Sequence, residues 1–92
     1  MKDVSLRQLR VFASAAKHLS FARAAQELHV TPPAVSMQIR DLEAQVGLPL
    51  FDRQHRQLSL TVAGEYLLVH GQKVFATLKD ASDVMAEVRL SG

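Results

Sequence analysis

The segment 31–46 restricts what this chain can fold into more than any other. It begins with Thr31, a residue type that caps helix N-termini, and Pro32 follows at the first helical position, where a missing amide hydrogen costs nothing. Apolar residues then recur at helical spacing, at Val35, Ile39, Leu42 and Val46. The segment is therefore predicted to be a helix with one buried face, which ends at the typical C-cap residue Gly47.

A second, shorter helix is predicted immediately before it. Ser20 can cap a helix over 21–28, and the inward face of that helix carries the small residues Ala24 and Ala25. Small side chains allow a neighbouring helix to approach closely. Two helices joined by a short turn are the outline of a helix-turn-helix, here at about residues 21–40, in which the second helix enters the DNA major groove.

Further elements flank this helix pair. Ser5 and Gln8 fit a capping box at the start of a first helix, which ends near His18. After the third helix, segments 48–53 and 58–60 are predicted to be two short strands of a hairpin wing, because Leu48 alternates with Leu50 and Leu58 with Leu60. The residues between the strands include no glycine, so we expect a loose connection rather than a tight hairpin turn.

The last predicted helix is unusually long. It follows the cap residue Thr61 and runs to about Leu90, within a final segment 62–92. Its apolar residues are separated by steps of three and four for more than three heptads, which is typical of a coiled coil. The residues expected to contact a second copy of the chain are Leu67, Gly71, Val74, Leu78, Ala81, Met85 and Val88. Leu68 and Phe75 lie beside this stripe and are expected to anchor the helix to the first three.

The predicted fold class is therefore mainly α. A winged helix-turn-helix over 4–61, with a three-helix core and a short β-hairpin wing, precedes a long dimerisation helix. The net charge of +2 is unevenly spread: residues 1–60 carry eight Lys and Arg against five Asp and Glu, a balance of +3, and residues 61–92 carry three against four, a balance of −1. The helix-turn-helix end is the basic end, which favours a nucleic-acid partner.

Other classes of protein find little support in the sequence. The chain has no cysteine and no export signal, and none of its apolar stretches approaches the length of a membrane span, about 20 residues. We therefore expect a cytoplasmic protein without a membrane partner. It also lacks a G-x-S-x-G motif, a glycine-rich phosphate loop and histidines at metal-ligand spacing, so neither an enzyme nor a metal site is expected. The alternative is a protein-interaction module, in which the long helix is the active part and any DNA affinity is incidental.

The surface expected to contact DNA bases lies opposite the buried stripe of the recognition helix, 31–46. At about 100° per residue, Pro33 and Met37 fall on this opposite face and Ser36 on its shoulder. Recognition helices contact bases through their N-terminal half, so these three residues are the predicted base contacts. Ser36 can exchange hydrogen bonds with base edges, and the other two can contact a thymine methyl group.

A second group of residues is expected to contact the DNA backbone, through cations, hydroxyls, an amide and helix N-termini. Its members are Ser20, Arg23, Thr31, Gln38, Arg40, Arg53 and Arg56. The wing, 50–60, is expected on the backbone or in the minor groove. His55 is either a further wing contact or a solvated loop residue. Two structural alternatives stay open: Arg40 could pair with Glu43, and Arg53 could hold the wing to the helices.

Taken together, these segments resemble the N-terminal winged helix-turn-helix of LysR-type bacterial transcriptional regulators. The residues that carry the resemblance run in order along nearly the whole chain: Leu6-Arg7-Gln8-Leu9-Arg10-Val11-Phe12, Ser20-Phe21 with Ala24-Ala25, Leu28-His29-Val30-Thr31, Pro33-Ala34-Val35-Ser36, Gln38-Ile39-Arg40, Leu42-Glu43, Gly47, Leu50-Phe51-Asp52-Arg53, Leu60-Thr61 and Ala63-Gly64. The stretch from Thr31 to Leu42 is also similar to regulators of carbon-fixation operons in autotrophic bacteria.

The resemblance implies a cytoplasmic homodimer paired through the last helix, which assembles into tetramers on an interrupted palindromic operator. Family members continue into a C-terminal domain that binds a small-molecule inducer; that domain is expected to be absent from this chain, and no cofactor is expected within it. This sequence departs from the family at two base-contacting positions, because Pro32 stands where Gln is common and Met37 where Arg is frequent. Base contact is therefore expected to depend on Pro33, Ser36, apolar contact from Met37, and DNA shape.

Overall fold

The computed structural model describes all 92 residues apart from the side chain of His55, so the predicted DNA contact of His55 lies outside the described part of the chain. The elements in chain order are α1 (Leu6–His18), α2 (Phe21–Leu28), α3 (Pro32–Val46), β1 (Phe51–Asp52), a 3₁₀ turn (Gln54–Arg56), β2 (Ser59–Leu60) and α4 (Val62–Ser91). This confirms the predicted fold class: three helices, a short two-stranded wing and a long last helix.

Hydroxyl side chains start all four helices. Ser5 accepts a hydrogen bond from the Gln8 amide, and the Gln8 side chain accepts one from the Ser5 amide, so the predicted capping box is present. The other three caps accept from the amide three residues ahead: Ser20 from Arg23, Thr31 from Ala34 and Thr61 from Gly64. Each cap occupies one of the amides that the first helical turn leaves unpaired.

The core lies among α1, α2 and α3 and includes two aromatic residues from outside α3. Phe12 of α1 is fully buried, and Val35, Ile39 and Leu42 of α3 pack into the same cluster. Phe51 of the wing joins them, with its ring edge-on to Phe12 at 5.5 Å between centroids. Burial of these large apolar side chains is the main term that holds the wing against the helices.

The wing is smaller than predicted. Its antiparallel ladder has only two residue pairs, Phe51 with Leu60 and Asp52 with Ser59. The predicted strand 48–53 begins three residues late, because Pro49 has no amide hydrogen to donate and the groups of Leu50 bond elsewhere. A 3₁₀ turn occupies the connection, in agreement with the expectation of a loose loop.

The first turns of α4 pack on the chain's own core. Gly64 is buried against the Leu50 carbonyl, where a Cβ atom would lie 2.2 Å from the oxygen. Leu67 and Leu68 both pack against the core cluster, which agrees with the anchoring role predicted for Leu68. Gly71 is buried near Leu9, with 3.9 Å between the Leu9 Cδ2 atom and the position of a Cβ.

Two members of the predicted dimer stripe also contact the chain's own core. Leu67 is half-buried against the core cluster and Gly71 is buried near Leu9, because α4 crosses the three-helix core at this point. Their contact with a second copy stays a prediction. The remaining members of the stripe are exposed: Val74, Leu78, Ala81, Met85 and Val88. The α4 stripe, as the term is used below, consists of these five residues.

The close approach at Gly64 gives a prediction about stability. Gly64→Ala should lower the free energy of unfolding by about 1–3 kcal/mol, because a backbone carbonyl cannot move aside for the new methyl group. Gly71→Ala is the matched control, since its Cβ has room, and the helical alanine should raise stability by about 0.5–1 kcal/mol. Urea unfolding at one fixed protein concentration checks both. Equal stability of the two variants would contradict the packing of α4 on Leu50.

Candidate nucleic-acid interface

Helix α3 presents its predicted base-contacting residues to solvent. Val35, Ile39 and Leu42 are buried on one side of the helix. Pro33 lies exposed on the other side, and the side chain of Met37 is 56% exposed although it is apolar. Ser36 is half-buried on the flank between the two faces. The three residues predicted to contact bases therefore occur on the N-terminal half of one helix, away from the core.

The predicted hydroxyl contacts to phosphate have a second role as helix caps. Ser20 and Thr31 each use a side-chain oxygen to accept an amide hydrogen bond, at 3.1 and 3.3 Å. Their hydroxyl hydrogens can still be donated to another acceptor. At the start of α2, unpaired amides can join the Ser20 hydroxyl at a phosphate oxygen. At the start of α3, Pro32 and Pro33 have no amide hydrogen, so the Thr31 hydroxyl and the partial positive charge of the helix N-terminus are what a phosphate would meet.

Arg40 does not pair with Glu43. The Glu43 carboxylate points to the start of the wing, where Oε2 accepts hydrogen bonds from the amides of Leu50 at 2.7 Å and Phe51 at 3.4 Å. In the described part of the chain no carboxylate lies within ion-pair distance of Arg40, which is exposed. The guanidinium is thus available to a phosphate or a base edge, and Glu43 has a structural role that its sequence position did not indicate.

Arg53 stacks on an aromatic ring. Its guanidinium carbon lies 4.7 Å from the centroid of Phe21, and the Phe21 ring itself is edge-on to Phe51. This cation–π contact, rather than bonds to backbone carbonyls, connects the wing to the start of α2. The planar cation remains exposed, so it can contact DNA from a fixed position. Nothing in the local sequence pairs Phe21 with Arg53, because the contact joins residues on different elements.

Arg56 has a left-handed backbone conformation, with φ of 63°. Leu19 and His29 share this conformation, but both are C-caps of helices, where it is common. Arg56 lies at the end of the 3₁₀ turn of the wing, and a residue with a Cβ pays about 1 kcal/mol for this conformation relative to glycine. Its side chain is exposed at the wing, as a DNA contact requires.

Two arginines of α1 adjoin the recognition helix. A cleft of about 490 Å³ is lined by Arg7 and Arg10 together with Met37 and Gln38 of α3. Gln38, predicted to contact the backbone, is half-buried in its wall. Arg7 and Arg10 were not among the predicted DNA contacts, because their closeness to α3 depends on how α1 packs. The cleft adds two cations to the flank of the predicted DNA-contacting surface.

In the part of the chain that the structure describes, no three His, Asp or Glu side chains are grouped so that they could hold a metal ion. None of the described helices combines the length and the apolar character needed to cross a bilayer.

Comparison with known proteins assigns the chain to a family. The model of the family described as "Bacterial regulatory helix-turn-helix protein, lysR family" matches residues 6–65, which include all four helix starts and the wing. This chain is a member of the LysR family. The match confirms the resemblance drawn from the sequence.

Curated relatives of similar sequence are named as transcriptional regulators. The chain is 46% identical over 89 residues to the regulator CfxR of Cupriavidus necator, and the aligned region covers 97% of this chain and 28% of CfxR. It is 45% identical over 86 residues to the RuBisCO operon transcriptional regulator of Allochromatium vinosum, covering 94% and 28%. It is 49% identical over 77 residues to the glycine cleavage system transcriptional activator of Escherichia coli, covering 84% and 25%. The chain thus spans about 28% of the length of the first two relatives.

Solved structures of DNA complexes have the same fold. The BenM DBD in complex with benA site 1 DNA superposes with a TM-score of 0.88 at 27% identity, covering 92% of this chain and 96% of that one. The CbnR DBD in its DNA complex gives a TM-score of 0.85 at 32% identity, covering 92% and 98%.

The role of Glu43 can be tested directly. Glu43→Ala should lower the free energy of unfolding by about 1–3 kcal/mol, because the amides of Leu50 and Phe51 lose a charged acceptor. Glu43→Gln keeps one side-chain oxygen, so its free energy of unfolding should lie between those of Glu43→Ala and the unmodified chain. The control is Asp41→Ala on the exposed side of α3, expected within about 0.5 kcal/mol of the unmodified chain. Equal urea midpoints for Glu43→Ala and Asp41→Ala would show that the carboxylate does not stabilise the wing.

Proposed function

We propose that this chain binds double-stranded operator DNA in a sequence-specific manner, as the DNA-binding part of a LysR-type regulator. The observation that carries the proposal is the exposed surface of α3, where Pro33, Met37 and Arg40 lie clear of the core at the position of a recognition helix. An apolar side chain such as Met37 gains nothing from exposure to water, but it can bury its surface against a base. The likeness to DBDs solved in DNA complexes supports the same function.

Base specificity is assigned to the first turns of α3. Ser36 exchanges hydrogen bonds with a base edge, and Pro33 and Met37 contact apolar groups such as the thymine methyl. Pro32 adds no polar contact, since its side chain has no donor or acceptor. Family members with Gln at position 32 and Arg at position 37 have two polar side chains for base contact. The binding proposed for this chain therefore depends more on apolar contact and DNA shape than theirs does.

Backbone affinity is assigned to the surrounding cations and helix starts. Arg23, Arg40, Arg53 and Arg56 are exposed, and each cation that neutralises a phosphate contributes affinity that salt reduces. Ser20, Thr31 and Gln38 add hydrogen bonds that position α3 in the groove. The left-handed conformation of Arg56 is tolerated, on this proposal, because its side chain is needed at the DNA backbone or in the minor groove.

The proposed DNA-binding unit is a homodimer formed through the α4 stripe. These residues form an apolar face on a helix segment that extends beyond the core, and a second copy would bury it. Two copies related by a two-fold axis fit an interrupted palindrome, and tetramers are the proposed assembly of the longer regulator. The small-molecule inducer is assigned to the C-terminal domain of such a regulator, and DNA contact by this chain is proposed to need no cofactor.

The relatives support a regulatory role in the bacterial cytoplasm, where the chromosome lies. They are named as regulators or activators of transcription, so we propose a regulator and not an enzyme. Similarity to a RuBisCO operon regulator supports carbon-fixation operators as the class of target.

Selection from a randomised double-stranded DNA pool, at about 0.15 M salt, tests this function. We expect enrichment of an inverted repeat whose half-sites lie near one helical turn, or a multiple of it, apart. Binding without enrichment would contradict the base contacts assigned to α3. Negligible binding at low salt would contradict DNA binding altogether and favour a protein-interaction module.

Substitutions separate the two kinds of contact. Ser36→Ala and Met37→Ala should each reduce discrimination between operator and random DNA by about 1–3 kcal/mol. Arg40→Ala and Arg56→Gly should weaken binding to both DNAs and lower the slope against log salt by about one each. Glycine suits the φ of 63° at position 56, so Arg56→Gly removes the side chain without new backbone strain. A change of sequence preference without a change of salt slope would contradict the backbone assignment.

The dimer can be tested at Leu78, an exposed member of the α4 stripe. Leu78→Glu should shift the sedimentation mass from dimer to monomer, because a charge would be buried in the interface. Ala76→Glu is the control: the residue is exposed and lies about 200° around the helix from Leu78, outside the stripe. An unchanged mass for Leu78→Glu, or an equal loss of dimer in both variants, would overturn this interface.

A further inference from the structure

Two apolar residues occupy the centre of the exposed face of α3. Pro33 and Met37 are four residues apart, so their side chains lie next to each other along the helix. Pro33 is exposed, and the side chain of Met37 is 56% exposed. Neither belongs to the core cluster or to the apolar residues that pack against it. These two residues are called the apolar pair below.

The apolar pair restricts what α3 can recognise on a base. In the major groove guanine presents two acceptors, adenine an acceptor and a donor, cytosine a donor, and thymine an acceptor together with a 5-methyl group. Proline has no donor, and the methionine thioether is only a weak acceptor. The 5-methyl group is therefore the base feature that this pair distinguishes.

The polar side chains around the pair do not separate thymine from cytosine. The cytosine amino group is recognised by a carboxylate, but both carboxylates of α3, Asp41 and Glu43, lie in its C-terminal half, and Glu43 is bonded to the wing. Ser36 and Gln38, on the flanks of the pair, each have both a donor and an acceptor, so they accommodate the thymine carbonyl and the cytosine amino group alike. Where the pair meets a pyrimidine, recognition thus depends on the group at C5 and not on the group at C4.

Thymine is not the only base with a methyl group at C5, because 5-methylcytosine has the same group at the same place in the groove. We propose that the apolar pair binds the 5-methyl group of a pyrimidine and accepts 5-methylcytosine as well as thymine. Methylation of a cytosine at this position then strengthens binding. The inference rests on the proposed function, since α3 must lie in the major groove, and goes beyond it by making the DNA affinity of the chain depend on cytosine methylation.

Four duplexes for each pyrimidine position of one operator half-site test the inference. They carry a T·A, U·A, C·G or 5-methylcytosine·G pair at that position of the operator obtained by selection, and fluorescence anisotropy gives the affinity of the chain for each. Uracil differs from thymine, and cytosine from 5-methylcytosine, by the methyl group alone. At one position or more we expect each methylated base to be bound about fourfold tighter than its unmethylated counterpart, the effect of burying one methyl group.

Variants of the pair assign the effect to α3. In Met37→Ala both methyl effects should fall below about twofold, because the surface that covers the methyl group is removed. Met37→Leu keeps an apolar side chain of similar volume and should retain both effects. Met37 is exposed, so neither change disturbs the core. Arg40→Ala, one helical turn further along the exposed face, is the matched control: it should weaken binding to all four duplexes and leave both ratios unchanged.

Three results would overturn the inference. The first is equal affinity for thymine and uracil at every position of a selected operator. The second is 5-methylcytosine bound no tighter than cytosine where thymine is preferred to uracil, and the third is methyl effects that persist in both Met37→Ala and Pro33→Ala. A selection without enrichment would contradict the proposed function and this inference with it, whereas enrichment without a methyl effect would overturn this inference alone.

Discussion

The peptide groups of Leu50 are the junction on which the rest of the structure depends. Its amide donates to the Glu43 carboxylate of α3, and its carbonyl accepts from the amide of Thr61 at 3.0 Å. The same carbonyl lies where a Cβ on Gly64 would be, so α4 packs directly against it. The recognition helix, the wing and the long helix therefore meet at one residue, and a shift there would move all three.

This junction explains how such a small wing holds its position. A ladder of two residue pairs is marginal in water by itself. Phe51 inserts its ring into the helical core, and Arg53 stacks on Phe21 at the start of α2. The wing is thus held by one buried aromatic residue, by the cation–π contact of Arg53 and by the hydrogen bonds of Glu43 at its start. Arg56 remains exposed at its tip.

Stability and the proposed DNA contact are divided between the two sides of α3. The buried side carries Val35, Ile39 and Leu42, whose apolar side chains stabilise the fold by packing into the core. The exposed side leaves the apolar Met37 in water and Arg40 unpaired by Glu43. On the proposed function, DNA covers both side chains.

The helices and their caps could be predicted from the sequence because their signals are local. Ser20 and Thr31 act on amides three residues ahead, and the buried stripe of α3 follows one period. The wing was predicted less well, since the amide of Leu50 is bonded by Glu43 on another element. Arg7 and Arg10 were missed as neighbours of Met37 for the same reason, because the packing of α1 on α3 has no signal in either segment.

The stripe of α4 shows most clearly what spacing alone cannot decide. Leu67 and Leu78 are the same residue type in one seven-residue pattern, yet the first packs on its own core and the second is exposed. A straight α-helix drifts about 20° per heptad against such a pattern, so successive members turn gradually from one neighbour towards another. One stripe can therefore anchor the helix at its start and leave an exposed apolar face beyond Gly71. The point along α4 where the stripe passes from buried to exposed depends on the extent of the three-helix core, which is a property of the fold and not of the repeat.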